Sequence, residues 1–174
     1  MTRVFVVFAL LLCWNVRNIA QGLDSELLIA SMNGQLSEVE SLLSQGANID
    51  YQNATGLSAL LLAVDKGHSE VATALLSKDA NPDLKDYFGT TALMYSVRND
   101  DLVLAKLLIK HKADVGAKDN FGDSALIYAI RLGNKDMISL IAMKASNLDE
   151  AIQNAKDWGN NEILVLLESI ASGK

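Results

Sequence analysis

Three glycines, Gly56, Gly89 and Gly122, recur every 33 residues, and each leads into the same short pattern. Ser58-Ala59-Leu60 follows the first, Thr91-Ala92-Leu93 the second and Ser124-Ala125-Leu126 the third. The register extends in both directions. Ala63, Ser96 and Ala129 coincide, as do Gly67, Asp100 and Gly133, and the pairs Leu42-Leu43, Leu75-Leu76 and Leu108-Ile109. A fixed period of this length means one supersecondary unit stacked on copies of itself. Neighbours then bury one another's apolar faces, and the functional question moves from chemistry to surface recognition.

Residues 1–22 stand outside that pattern. Arg3 supplies a short positive region, Val4 to Trp14 is an unbroken apolar run of 11 residues, and a polar stretch with small residues follows. The run is too short to span a bilayer, which takes roughly 20 residues. It has the length of a secretory signal core, with cleavage expected after Ala20 or Gly22. An uncleaved anchor and a misassigned start codon are the alternatives. Cys13, the single cysteine, lies inside this segment. Leu12 before it is too large for a lipoprotein junction. The exported chain would therefore hold no disulfide, no thiol nucleophile and no thiolate metal ligand, and its fold must rest on apolar burial.

Losing Arg3 and Arg17 reduces the basic residues from 15 to 13 against 21 acidic ones, a net charge of −8. A phosphate backbone is repelled by such a field, so nucleic acid and anionic lipid are poor partners. A neutral or basic protein surface suits it better.

Each unit reads as a turn, a short helix, a second helix and a loop. In the third, Asp86-Tyr87-Phe88-Gly89 is a turn and Thr91 an N-cap whose hydroxyl satisfies a free N–H. Leu93 and Val97 follow at helical spacing. Asn99-Asp100 breaks the helix. A second helix runs from about Asp101 to Lys110, burying Val103 or Leu104 with Leu107 and Leu108, and Lys112-Ala113-Asp114 opens the return loop.

This pattern resembles the ankyrin repeat, whose period and Thr-Pro-Leu-His-x-Ala motif are approached by Gly56-Leu57-Ser58-Ala59-Leu60-Leu61-Leu62-Ala63 and its copies from Gly89 and Gly122. The closing Gly-Ala-Asp-x-Asn signature is met best by Gly46-Ala47-Asn48-Ile49-Asp50. The resemblance covers about Leu23 to Ser172. It implies an all-α repeat, an ankyrin solenoid of about five helix-turn-helix units with short β-hairpin-like loops. The expected units are a capping repeat over 23–52, repeats over 53–85, 86–118 and 119–147, and a capping repeat over 148–174. The last is shortened: Gly159 falls 26 residues after Gly133, so about seven residues are missing from the hairpin region after Ala145. Helix pairs are expected at Glu26–Met32 with Ser37–Ser44, and at Leu148–Trp158 with Asn161–Ile170.

The departures from the family pattern are systematic. Ala59, Ala92 and Ala125 replace its proline, and Leu61, Met94 and Ile127 its histidine. That histidine ties neighbouring repeats by backbone hydrogen bonds. Apolar packing is therefore expected to hold these units together, at lower stability than a consensus array.

Catalytic patterns are scarce. His68 follows Gly67, where the family keeps a structural histidine, and His111 sits at a helix C-terminus, where positive charge is favoured. No histidine pair at i, i+4, no phosphate-cradling glycine loop and no Gly-x-Ser-x-Gly elbow occurs. The acids Asp100 and Asp101 fall where they cap a helix. No enzyme activity, cofactor or metal site is expected. Asn53-Ala54-Thr55 matches a glycosylation sequon, relevant only in a eukaryotic secretory route.

What remains is a surface. The resemblance implies a concave recognition face, with fingers at Tyr51, Ala54, Thr55 and Leu57, then Tyr87, Phe88 and Thr90, then Asn120, Phe121 and Asp123. The palm is implied at Met32, Asn33, Asp65, Lys66, Arg98, Asn99, Arg131, Leu132, Asp157 and Trp158. Turn tips are normally small and polar, so three aromatic rings there either meet a partner or fold back between tips. Tyr87 is expected to be exposed; Phe88 and Phe121 stand open between the two. Tyr95 and Tyr128 are expected to pack between units. Among short exported ankyrin proteins of bacteria, some accompany catalase and peroxide resistance and others act as immunity proteins. The resemblance therefore implies a protein-binding module, monomeric when free, in the periplasm or secreted. A scaffold subunit of an envelope complex and a secreted effector binding a host protein are the alternatives.

Overall fold

The computed structural model describes residues 22–173. Apart from Gly22, the expected signal segment, Cys13 included, lies outside the described residues. Ten helices follow in pairs among those residues: α1 (22–32) and α2 (Leu36–Ser44), α3 (Ala59–Asp65) and α4 (Ser69–Ser77), α5 (Ala92–Arg98) and α6 (Leu102–Lys110), α7 (Ala125–Leu132) and α8 (Lys135–Ala142), α9 (Asp149–Asp157) and α10 (Asn161–Ala171). None is long and apolar enough to cross a membrane.

The starts of the first helices are written in side-chain chemistry. Ser58, Thr91 and Ser124 are extended, and their hydroxyls accept the N–H groups of Leu61, Met94 and Ile127. Asp101, Asn134 and Asn160 cap α6, α8 and α10 in the same manner. A cap of this kind stabilises its helix by about 1 kcal/mol. Helix ends need a left-handed residue. Gly67 and Gly133 supply it after α3 and α7, but Asp100 stands in that register after α5. Asp79 and Lys112 likewise hold the place that Gly46 takes after α2.

Two rows of helices result. First helices pack in the order α3, α5, α7, α9, and second helices in the order α2, α4, α6, α8, α10. Leu42, Leu75, Leu108, Ile141 and Leu167 occupy one register position on the second helices, and all are buried. In α6 the sequence left Val103 or Leu104 open; Leu104 is buried and Val103 exposed. Leu61, Met94 and Ile127, at the family's histidine position, are buried between the first helices. A fully buried side chain of this size contributes about 1.5–3 kcal/mol.

The expectation that apolar packing alone joins the units is corrected. Polar bonds cross every boundary between neighbours up to the fourth unit. In the hairpins, the Gln52 amide donates to the Lys85 carbonyl at 2.8 Å, and Lys85 Nζ to the Lys118 carbonyl at 2.9 Å. In the loops, the carboxylates of Asp50 and Asp83 accept the N–H groups of Asn81 and Asp114. At the helix turns, His68 Nε2 lies 3.0 Å from the Met32 carbonyl and the Asn99 amide donates to the Asp65 carbonyl at 2.8 Å. The histidine was replaced, but residues at other register positions took over its task.

Candidate protein-binding surface

The third and fourth hairpin tips are each built around one acid. Asp86 Oδ1 accepts the N–H groups of Phe88 and Thr90, and Asp119 Oδ1 accepts those of Phe121 and Asp123. The second carboxylate oxygen reaches into the following helix: Tyr95 donates its hydroxyl to Asp86 Oδ2 at 2.8 Å and Tyr128 to Asp119 Oδ2 at 2.7 Å. Burial pushes the Tyr95 hydroxyl up to about 12, reinforced by the Asp86 acceptor and charge. Tyr128 rises to about 12 for the same reasons, with Asp119 as its partner. Burial alone would raise the Asp119 carboxyl. The bonds from Tyr128 and from the backbone of Asp123, Phe121 and Gly122 outweigh it and hold that group below the usual carboxylate range.

With its backbone secured inward, each tip turns its ring outward. Tyr87 is 75% exposed, Phe88 57% and Phe121 76%, so all three present apolar surface, and Tyr87 meets Phe88 edge to face at 5.5 Å. The open choice for Phe88 and Phe121 is thus resolved towards exposure. The hairpins also bond to one another: Tyr87 N–H donates to the Thr55 carbonyl and Asn120 N–H to the Phe88 carbonyl, both at 2.9 Å.

A family model for ankyrin repeats matches the chain three times, at residues 7–86, 27–119 and 80–157. The chain belongs to the ankyrin-repeat family. Ankyrin repeats generally mediate protein–protein binding and are typically non-enzymatic modules. A comparison with curated proteins found no match.

On the face formed by the ankyrin tips and first helices, the structure joins Asp123, Arg131 and Trp158. Arg131 forms a two-pronged ion pair with Asp123, with Nη2 to Oδ1 at 3.0 Å, and its guanidinium lies 5.4 Å from the centre of the Trp158 ring. Arg98 stacks on Tyr95 in the same way at 5.3 Å. Such cation–π contacts are worth about 0.5–1 kcal/mol at exposed sites. Lys66 pairs with its neighbour Asp65 at 2.8 Å. Leu132, Asn120, Asp157 and Met32 are exposed, while Tyr51 and Leu57 are half-buried at the edge of the face.

Two expectations change here. Thr90 is only 4% exposed: its N–H serves Asp86 and its carbonyl accepts the Asp86 N–H at 3.1 Å, so it closes the hairpin and presents nothing to a partner. The Asn99 side chain is committed to the carbonyls of Val64 and Asp65, though the residue stays exposed. The sequon residue Asn53, in the register of Asp86, spends its side-chain oxygen on Thr55 and Leu57.

Sequence reasoning passed over Ile29, which is exposed in the first unit at the register position of Tyr95. It also passed over the Asp–Tyr ties. Both were legible as an acid and a tyrosine nine residues apart, occurring twice.

Proposed function

We propose that this ankyrin protein is exported, most simply to a bacterial periplasm, and grips a partner protein along a strip of Tyr87, Phe88, Phe121, Arg98, Arg131 and Trp158. One observation carries the reading: three large rings stand exposed on tips whose backbones are fixed from within. Interface hot spots are enriched in Tyr, Trp and Arg, and solvating such rings without a partner is unfavourable. Arg98 and Arg131 are already stacked, so little side-chain freedom is lost when they engage. The acidic balance of the chain favours a neutral or basic partner surface. An immunity or inhibitor role and an accessory role beside a catalase both use a module of this shape. Val103 and Val165, exposed on the row of second helices, favour a second reading in which the protein is a scaffold subunit gripped from two sides.

Capture from envelope extract tests the first reading. A Tyr87→Ala, Arg98→Ala, Arg131→Ala triple variant should keep its helical circular dichroism and lose the partner. Undiminished capture by that variant would remove the strip as the site.

A further inference from the structure

The row of hairpins ends abruptly after the fourth. Between the third and fourth tips, Asn120 donates twice: its N–H to the Phe88 carbonyl at 2.9 Å and its side-chain amide to the Tyr87 carbonyl at 3.0 Å. One unit further on, the carbonyls of Asn120 and Phe121 occupy the same register, and no described residue donates to either. Steric space tells the same story. A Cβ built on Gly56 would lie 2.9 Å from the Asp86 backbone, and one on Gly89 would lie 2.8 Å from the Asn120 nitrogen. On Gly122 it would meet nothing within 4 Å. The residues that would have formed a fifth hairpin are missing, and Lys118 turns instead to the Glu150 carboxylate at 2.8 Å. An open cleft of about 200 Å³ remains, lined by Lys118, Ser124, Leu126, Ala145, Asn147 and Glu150.

We propose that this slot receives a tight turn of the partner polypeptide, seated where a fifth hairpin would lie and donating two N–H groups to the Asn120 and Phe121 carbonyls. The inference rests on the protein-binding reading and names the chemistry of one contact within it. The occupant follows from the chain's own tips. Two exposed carbonyls that no described residue engages are acceptors, suited to N–H donors and not to an anion. Spaced as successive carbonyls of a turn, they match an Asn-bearing tip, whose backbone and side-chain N–H groups Asn120 already uses in this manner.

The probe is a backbone-cyclised peptide carrying the sequence Lys118–Ser124, titrated into the isotope-labelled protein and followed by amide NMR. Saturable shifts are expected at Asn120, Phe121, Gly122 and across 145–150. A peptide with aspartate in place of its asparagine should bind roughly tenfold more weakly, about the loss of one good donor. Gly122→Asn places a side chain in the slot at a backbone angle that Asn tolerates, and it should weaken the peptide by a similar factor while leaving distant amides unmoved. A second variant, with a hairpin inserted after Ala145 to restore the full period, should abolish the shifts. No shifts in the parent protein, or equal affinity for both peptides and in both variants, would overturn the proposal. The peptide is not the natural partner, so a silent titration leaves capture by the Tyr87, Arg98 and Arg131 strip unaffected, and failed capture leaves the slot measurable.

Discussion

The interior units and the fifth unit are built from the same helix pair, yet they are attached differently. The third unit is held on both flanks by apolar packing and by polar bonds at hairpins and helix turns, with a loop bond on the side of the second unit. The fifth keeps the apolar contact of α9 and α10 with α7 and α8. Its polar links to the preceding units are exposed pairs, Lys118 with Glu150 and Lys135 with Glu162, and the Arg131–Trp158 stack. Exposed pairs of this kind contribute about 0–1 kcal/mol. The hairpins carry much of this ladder of polar bonds, and shortening one hairpin removes its rungs locally.

The largest test compares equivalent core leucines. Leu108→Ala, between two neighbours, should cost about 4 kcal/mol, and Leu167→Ala, packed from one side, about 2–3 kcal/mol, by urea unfolding. Equal losses would mean that the fifth unit is as tightly held as the interior. Next come the tip glycines. Gly89→Ala adds a clash with Asn120 to the cost of a left-handed residue and should lose about 3 kcal/mol; Gly122→Ala pays the conformational term alone, about 1–2 kcal/mol.

A smaller effect, about 1 kcal/mol, is expected for Tyr128→Phe, which breaks the tie to Asp119. Its pH dependence has two limbs. The native tyrosine titrates near 12 against an ordinary 10, so its stabilisation is complete below pH 10 and is lost as pH rises towards 12. Asp119 titrates below its ordinary 3.8, so its share is complete above about pH 4 and is lost as pH falls through the native value. The variant should flatten both limbs of a thermal-melt profile. Smallest is Lys112→Gly, which relieves a left-handed lysine and should raise stability by about 0.5–1 kcal/mol.

The period alone made the helix pairs legible, because caps, breakers and buried leucines repeat with it. Ser58, Thr91 and Ser124 were recognisable as caps by place. The inter-unit bonds were not, since Gln52, Lys85 and Asn99 are surface-type residues whose partners are backbone carbonyls a whole period away. Thr90 misled for a related reason: its position in the turn resembled a tip, while its backbone bonds draw it inward. Phe88 and Phe121 could not be oriented from sequence because the ring direction depends on whether the next hairpin covers it.

A carboxylate that seats a tip on its helix also sets how far that tip can swing. In the third and fourth hairpins the tie from Asp86 or Asp119 to a tyrosine braces loop against helix. In the second, Asn53 and Leu62 occupy those places, and the brace is missing. The array thus carries two stiff digits beside a pliant one. A ligand closing on the stiff pair sacrifices little loop entropy, whereas the pliant digit can adjust its angle as the complex settles.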